Sequence, residues 1–161
     1  MYVEDTCREE LECWIMRGFV AILEDDVDRV VEMKSCLAQV LPAADVVVFE
    51  RADDMIAWLK GHLGEAVLIS LDHDLPMVNA EGMLIDCGDG RMVADYLAEL
   101  PATCPVIVHS SNANRAPGMW FALKDAGWQI SRVVPYEDYA WIRGEWMSQV
   151  LQLIRDGWIV A

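Results

Sequence analysis

Apolar residues in this chain follow two rhythms that alternate from one end to the other. Residues 19–23, 46–49, 66–71 and 105–108 are short, nearly unbroken apolar runs, rich in Val and Ile, and residues 130–134 form a short, mixed fifth one. Runs of that length and content read as strands buried on both faces. Between them the apolar positions take helical spacing. Val27, Val30, Val31, Cys36 and Val40 lead up to Pro42, and Met55, Ile56, Leu59 and Leu63 follow Asp53. Val93, Tyr96, Leu97 and Leu100 lie between Asp89, a candidate cap, and Pro101. Pro117 suits a first helical turn and Gly127 a C-terminal cap. Ile142, Trp146, Val150, Leu153 and Ile154 mark a closing helix.

Five strand–helix units predict an α/β, doubly wound, five-stranded parallel sheet. Right-handed crossovers favour the strand order 2-1-3-4-5 of the flavodoxin-like arrangement. No repeat or linker divides the chain, so residues 18–161 read as one domain and residues 1–17 as an N-terminal extension, with Leu11, Trp14 and Ile15 at helical spacing. With 55% hydrophobic residues over 161 positions the chain can bury a substantial core. No apolar run reaches the roughly 18 residues of a membrane span. The acidic start does not resemble a secretory signal. Five scattered cysteines without a C-x-x-C pair fit reduced thiols in a cytoplasmic protein.

A net charge of −15 argues against binding long nucleic acid through a basic surface. It leaves room for a small phosphorylated ligand, since one metal ion and one or two arginines can reverse a local field. Oligomeric state is open, and a homodimer is compatible with the composition.

In an open α/β sheet the ligand crevice lies beyond the carboxyl ends of the strands, at the switch point. The ends of the first, third and fourth strands carry Glu24-Asp25-Asp26, Asp72-His73-Asp74 and His109-Ser110-Ser111-Asn112. Five carboxylates in one region repel one another unless a cation is shared, and an oxygen-rich cluster suits Mg²⁺ or Mn²⁺. Glu24, Asp25, Asp26, Asp72 and Asp74 are thus the candidate metal ligands. The simpler role for Asp25 or Asp26 is to cap the next helix. His73 and His109 are candidate general acid and base, against the alternative of core histidines satisfied by the backbone. Strand alternation sets one condition: Asp72 and Asp74 share a face, and His73 joins them only if the strand has already ended. Arg29 and Arg115 are candidate phosphate grips. Ser110 and Asn112 are candidate phosphoryl hydrogen-bond donors or, more simply, helix caps. Gly88-Asp89-Gly90 reads best as a plain helix start.

These residues carry a resemblance. From about residue 18 to 154 the chain resembles the receiver domains of two-component response regulators. Asp25-Asp26 resembles their acidic pair, Asp72 with Pro76 four residues on their phosphoaccepting aspartate, and Ser110 the hydroxyl ending their fourth strand. Three departures stand out. Val134 precedes Pro135 where receivers carry a lysine, the stretch 77–88 is long, and two histidines enter the motifs. The set L-E-D-D-x-x-R, L-D-H-D-L, G-D-G and V-H-S-x-N is more similar to a divergent branch, the cyclic-phosphate-processing receiver-like domains. That resemblance implies a metal-dependent hydrolase acting on a small cyclic phosphate ester, as in RNA or tRNA end processing, and the strand ends offer Asp72, His73 and His109 as its candidate catalytic residues. The rival expectations are a signalling receiver phosphorylated on Asp72 and a non-catalytic pseudo-receiver that works through a partner surface.

Overall fold

The computed structural model describes residues 18–136 and 138–161. The N-terminal extension, with Cys7 and Cys13, lies outside the described residues. Strands β1 (Phe19–Leu23), β2 (Asp45–Phe49), β3 (Ala66–Leu71), β6 (Val106–His109) and β7 (Ile130–Val133) form one parallel sheet in the order β2-β1-β3-β6-β7. That is the predicted 2-1-3-4-5 order. The labels differ because a two-stranded antiparallel hairpin, β4 (Met77–Val78) with β5 (Leu84–Ile85), is inserted after β3.

Alternation along the strands splits the core into two layers. Val20, Ile22, Leu68 and Ile107 face α1 (Val27–Val40) and the closing helix, α5 (Met147–Arg155). Ala21, Leu23, Ile69, Leu71, Val106 and Val108 face α2 (Ala52–His62), α3 (Gly90–Ala98) and α4 (Ala116–Asp125). Each fully buried Ile or Leu contributes roughly 1.5–3 kcal/mol, so both faces are held strongly. The closing helix begins with a π-turn, Ile142–Trp146, which brings Trp141 and Trp146 into the first layer, fully buried.

Two local features fix the sheet's carboxyl end. Asp89 caps α3 by accepting from Met92 N, as a plain helix start should. Gly90 lies so close beneath β3 that a Cβ there would sit 2.0 Å from the Asp72 carbonyl oxygen, while its N–H donates to the His73 carbonyl at 2.9 Å. Only glycine permits that approach. Pro117 stands in the first turn of α4, and Gly127 follows the helix with φ +87°. Among the described residues Cys36, Cys87 and Cys104 are free, buried thiols, and no helix is long and apolar enough to cross a membrane.

Candidate functional site

Strands β1 and β3 are neighbours, and their ends carry carboxylates on to the α1 side of the sheet. Glu24 continues the face of Val20 and Ile22, and Asp72 that of Leu68 and Ser70. Glu24, Asp25 and Asp72 each offer an oxygen within 4.8 Å of the others. Asp26 is not part of this group. It caps α1, accepting from Asp28 N and Arg29 N at 3.0 Å each. The acidic pair facing Asp72 is therefore Glu24–Asp25, one residue earlier than the sequence pattern indicated. β1 ends at Leu23, and the third acid of the run is the one that reaches the helix start. Asp74 also lies outside the trio, where it accepts from Asn112 Nδ2 at 3.3 and 3.0 Å and pairs with His73.

The electrostatics of the trio are uneven. Burial and the charge of Glu24 push Asp25 up to about 6. Burial, then Glu24, also raises Asp72, against the opposing pull of His109, the His73 N–H and Arg29. Burial works to raise Glu24 too. There the hydrogen bond and attraction of His109, the Asp26 N–H and Arg29 win, and its carboxyl lies below the ordinary range. Hard oxygen donors, crowded until two of them resist ionisation, suit a divalent cation.

Among the described residues, Arg29 brings a positive charge against the trio. Its Nη1 lies 3.5 Å from both Glu24 Oε2 and Asp72 Oδ2, and its guanidinium packs 5.6 Å from the centre of the Trp141 ring. Val134, where receivers place a lysine, is half exposed. The cation at this pocket comes from α1 instead.

The two histidines part company. His109 is fully buried on the α1 side, with Nε2 at 3.2 Å from Glu24 Oε2 and Nδ1 at 2.8 Å from Ser70 Oγ. His73 is buried too, but its ring pairs with groups outside the trio: Nδ1 lies 2.9 Å from Asp74 Oδ1 and Nε2 4.0 Å from Asp89 Oδ2. Only its backbone N–H, donating to Asp72 Oδ1, touches the trio. The expected pairing of two imidazoles about one centre is not the arrangement present.

Ser110 is buried and accepts from Asn112 N. Asn112 Oδ1 accepts from Asn114 N and Arg115 N, so both residues shape the turn before α4, the simpler of the two roles foreseen for them. Arg115 stands at that helix start, and its charge helps hold the Asp74 carboxyl low: burial opposes, but Asn112, His73 and Arg115 together prevail. Glu24 and Asp25 of the trio also line a cleft of about 450 Å³, together with Val27, Val30, Lys34, Val48, Phe49, Glu50, Arg51 and Asp54. Sequence reasoning passed over this cleft and also the polar neighbours of His109, because neither is local in the chain.

A family model for the cyclic-phosphate processing receiver domain matches residues 20–125. The chain belongs to that family. Among solved structures, the fold is that of response-regulator receiver domains. One is the phosphorylated cyanobacterial phytochrome response regulator RcpA, at 19% identity and TM-score 0.61 over 88% of this chain and 94% of that one. Another is the receiver domain from Rhodospirillum rubrum, at 16% identity and TM-score 0.62 over 86% and 94%. A third, a response regulator in its Mn²⁺-bound form, has 14% identity and TM-score 0.60 over 89% and 96%. At these identities the likeness is one of fold. No curated protein matches the sequence. Membership of the family agrees with the resemblance carried by L-D-H-D-L and V-H-S-x-N.

Proposed function

We propose that this receiver-family domain is a divalent-cation-dependent phosphoesterase that opens a small cyclic phosphate. The observation that carries the reading is the convergence of Glu24, Asp25 and Asp72 within 4.8 Å, beside an arginine and without the receiver lysine. Glu24, Asp25 and Asp72 hold Mg²⁺ or Mn²⁺. When bound, the ion polarises phosphoryl oxygens and lowers the pKa of coordinated water. Arg29, released from the carboxylates, turns its planar fork to the phosphate. The cleft beside the trio, with Val27, Val30 and Phe49 for apolar contact and Lys34 for charge, receives the rest of the ester.

In the reaction water adds to phosphorus, one ring P–O bond breaks, and the leaving oxygen gains the proton that the water loses. The ring of His73 turns to Asp74, at 2.9 Å from Nδ1, and to Asp89, away from the trio, so its part is to hold Asp74, and neither imidazole is assigned the proton transfer. His109 has both ring nitrogens engaged inside the core and is assigned a supporting role.

The test is turnover of a panel of cyclic nucleotides and cyclic sugar phosphates with Mg²⁺, Mn²⁺ or EDTA. The reading predicts ring opening that needs the ion and is lost in Asp25→Asn. A second reading is favoured by the position of Asp72 at the end of β3: phosphorylation of its carboxylate as in signalling receivers. Acid-labile incorporation of phosphate from acetyl phosphate, lost in Asp72→Asn and unaccompanied by turnover of any cyclic ester, would establish that reading in place of the first.

A further inference from the structure

A line of buried polar side chains runs from the acidic trio to the π-turn on the α1 side of the sheet, and the proposed reaction uses none of its far end. Trp146 Nε1 donates to Ser70 Oγ at 3.0 Å, Ser70 Oγ lies 2.8 Å from His109 Nδ1, and His109 Nε2 lies 3.2 Å from Glu24 Oε2. Glu24 Oε1 then accepts from Asp26 N at 3.0 Å. All four side chains have 0% exposure.

The order of protons along this line follows from what each group can do. An indole N–H only donates. Ser70 therefore accepts from Trp146, and at the other end the Glu24 carboxylate, an acceptor, calls for the ring proton on His109 Nε2; with that proton there, Nδ1 of the neutral ring accepts from the Ser70 hydroxyl. Trp141, the residue just before the π-turn, stacks its ring on His109 with centroids 5.9 Å apart and carries the Arg29 guanidinium on its face. Both groups that approach Glu24 Oε2, His109 and Arg29, are thus held by tryptophans flanking or within one turn. Burying a serine, a histidine and a glutamate in this layer is costly compared with apolar residues of the same volume. The side-chain hydrogen bonds of the line end at one place, the carboxylate that faces Asp25 and Asp72.

We infer that Ser70 and Trp146 are positioning residues for cation binding: through His109 they set the orientation of Glu24. The inference rests on the reading of the trio as a cation site and adds two residues that no motif marks. It requires that loss of the indole N–H, 76 residues away in sequence from Ser70, weakens the grip on the ion without touching it.

The experiment is Mn²⁺ binding by the full chain, followed by the loss of the free-ion electron paramagnetic resonance signal, with thermal melting measured alongside. Trp146→Phe and Ser70→Ala should each weaken Mn²⁺ binding about tenfold, as changes in groups that orient metal ligands do. Trp128→Phe is the control. It removes a buried indole bond of the same kind, to the Leu97 carbonyl at 3.1 Å, but on the opposite face of the sheet. It should lower the melting temperature and leave Mn²⁺ binding unchanged. Gln in place of His109 carries its own N–H to Glu24, so in His109→Gln the further change Ser70→Ala should alter binding less than twofold. If wild-type protein binds Mn²⁺ while Trp146→Phe and Ser70→Ala match the Trp128→Phe control, the line is core packing and the inference is overturned. If wild-type protein binds no Mn²⁺, the cation site itself fails and the inference with it. Should Trp146→Phe not fold, Ser70→Ala and the His109→Gln pair decide the matter.

Discussion

Three acids in a row after β1 have three different fates, and the difference is where each side chain can go. Glu24 is buried and hydrogen-bonded at both oxygens, Asp25 faces Asp72 with too much negative charge about it, and Asp26 turns back to cap α1. Asp25 titrates at about 6, above the ordinary aspartate value of about 3.9. Its raised value means that the folded state holds this proton more tightly than the unfolded chain. Without a cation, stability therefore falls as pH rises from about 4 to about 6. A cation must displace the same proton, so Mn²⁺ affinity should fall as pH drops through about 6. Calorimetric titrations between pH 5 and pH 8 would measure this, and Asp25→Asn should remove most of the affinity and reduce the dependence to the share of Asp72, which is raised too. Arg29 competes for the same oxygens. Arg29→Gln should tighten Mn²⁺ binding several-fold, because the guanidinium no longer offsets the charge of Glu24 and Asp72, while inorganic phosphate should bind the Mn²⁺-loaded variant more weakly. At Gly90 the constraint is space. Gly90→Ala forces a methyl group against the Asp72 carbonyl and should cost about 1–3 kcal/mol in urea unfolding, with a loss of cation affinity as the end of β3 shifts.

At the level of elements, most of the frame was legible because its signals are local. Unbroken Val/Ile runs, proline stops and the Asp89 cap located β1, β2, β3, β6, β7 and the helices to within a residue or two. The hairpin of β4 and β5 was not legible. Its strands are two residues long and carry no alternation, and its turn is held by Asn79, which accepts from Glu81 N and Met83 N through Oδ1. It leaves Val78, Met83 and Leu84 exposed, so Leu84→Ser should shift stability by no more than about 0.5 kcal/mol, whereas Ile107→Ala in β6 should cost roughly 2–5 kcal/mol. Thermal unfolding of the two variants side by side checks the contrast. The candidate site was legible as a region and not as a geometry. Strand order placed the ends of β1, β3 and β6 together, but the face each side chain takes depends on where the strand stops. β3 ends at Leu71, and His73 goes to Asp74 and Asp89, while His109, the last residue of β6, keeps the register of Ile107 and faces Glu24. The partners of His109 come from Ser70 and, through it, Trp146, and no short motif announces contacts that distant in the chain.

For the molecule as a whole, charge and fold pull in opposite directions. A chain with net charge −15 gathers three carboxylates at one end of its sheet, where Arg29 offsets them. Repulsion of this kind is screened by salt and relieved by a bound divalent ion. Raising ionic strength should therefore raise the melting temperature gradually, and millimolar Mg²⁺ should raise it beyond what an equal ionic strength of NaCl achieves. On the reading proposed above, this pocket joins a cation to a cyclic phosphate and opens the ring. Phosphorus NMR of a cyclic phosphate panel, incubated with the wild-type chain and Mg²⁺ beside an Asp25→Asn sample, tests it most directly. At least one cyclic resonance should give way to a monoester resonance in the first sample and persist in the second. Persistence of every cyclic resonance with wild-type protein and Mg²⁺, or conversion at the same rate in Asp25→Asn, would contradict it.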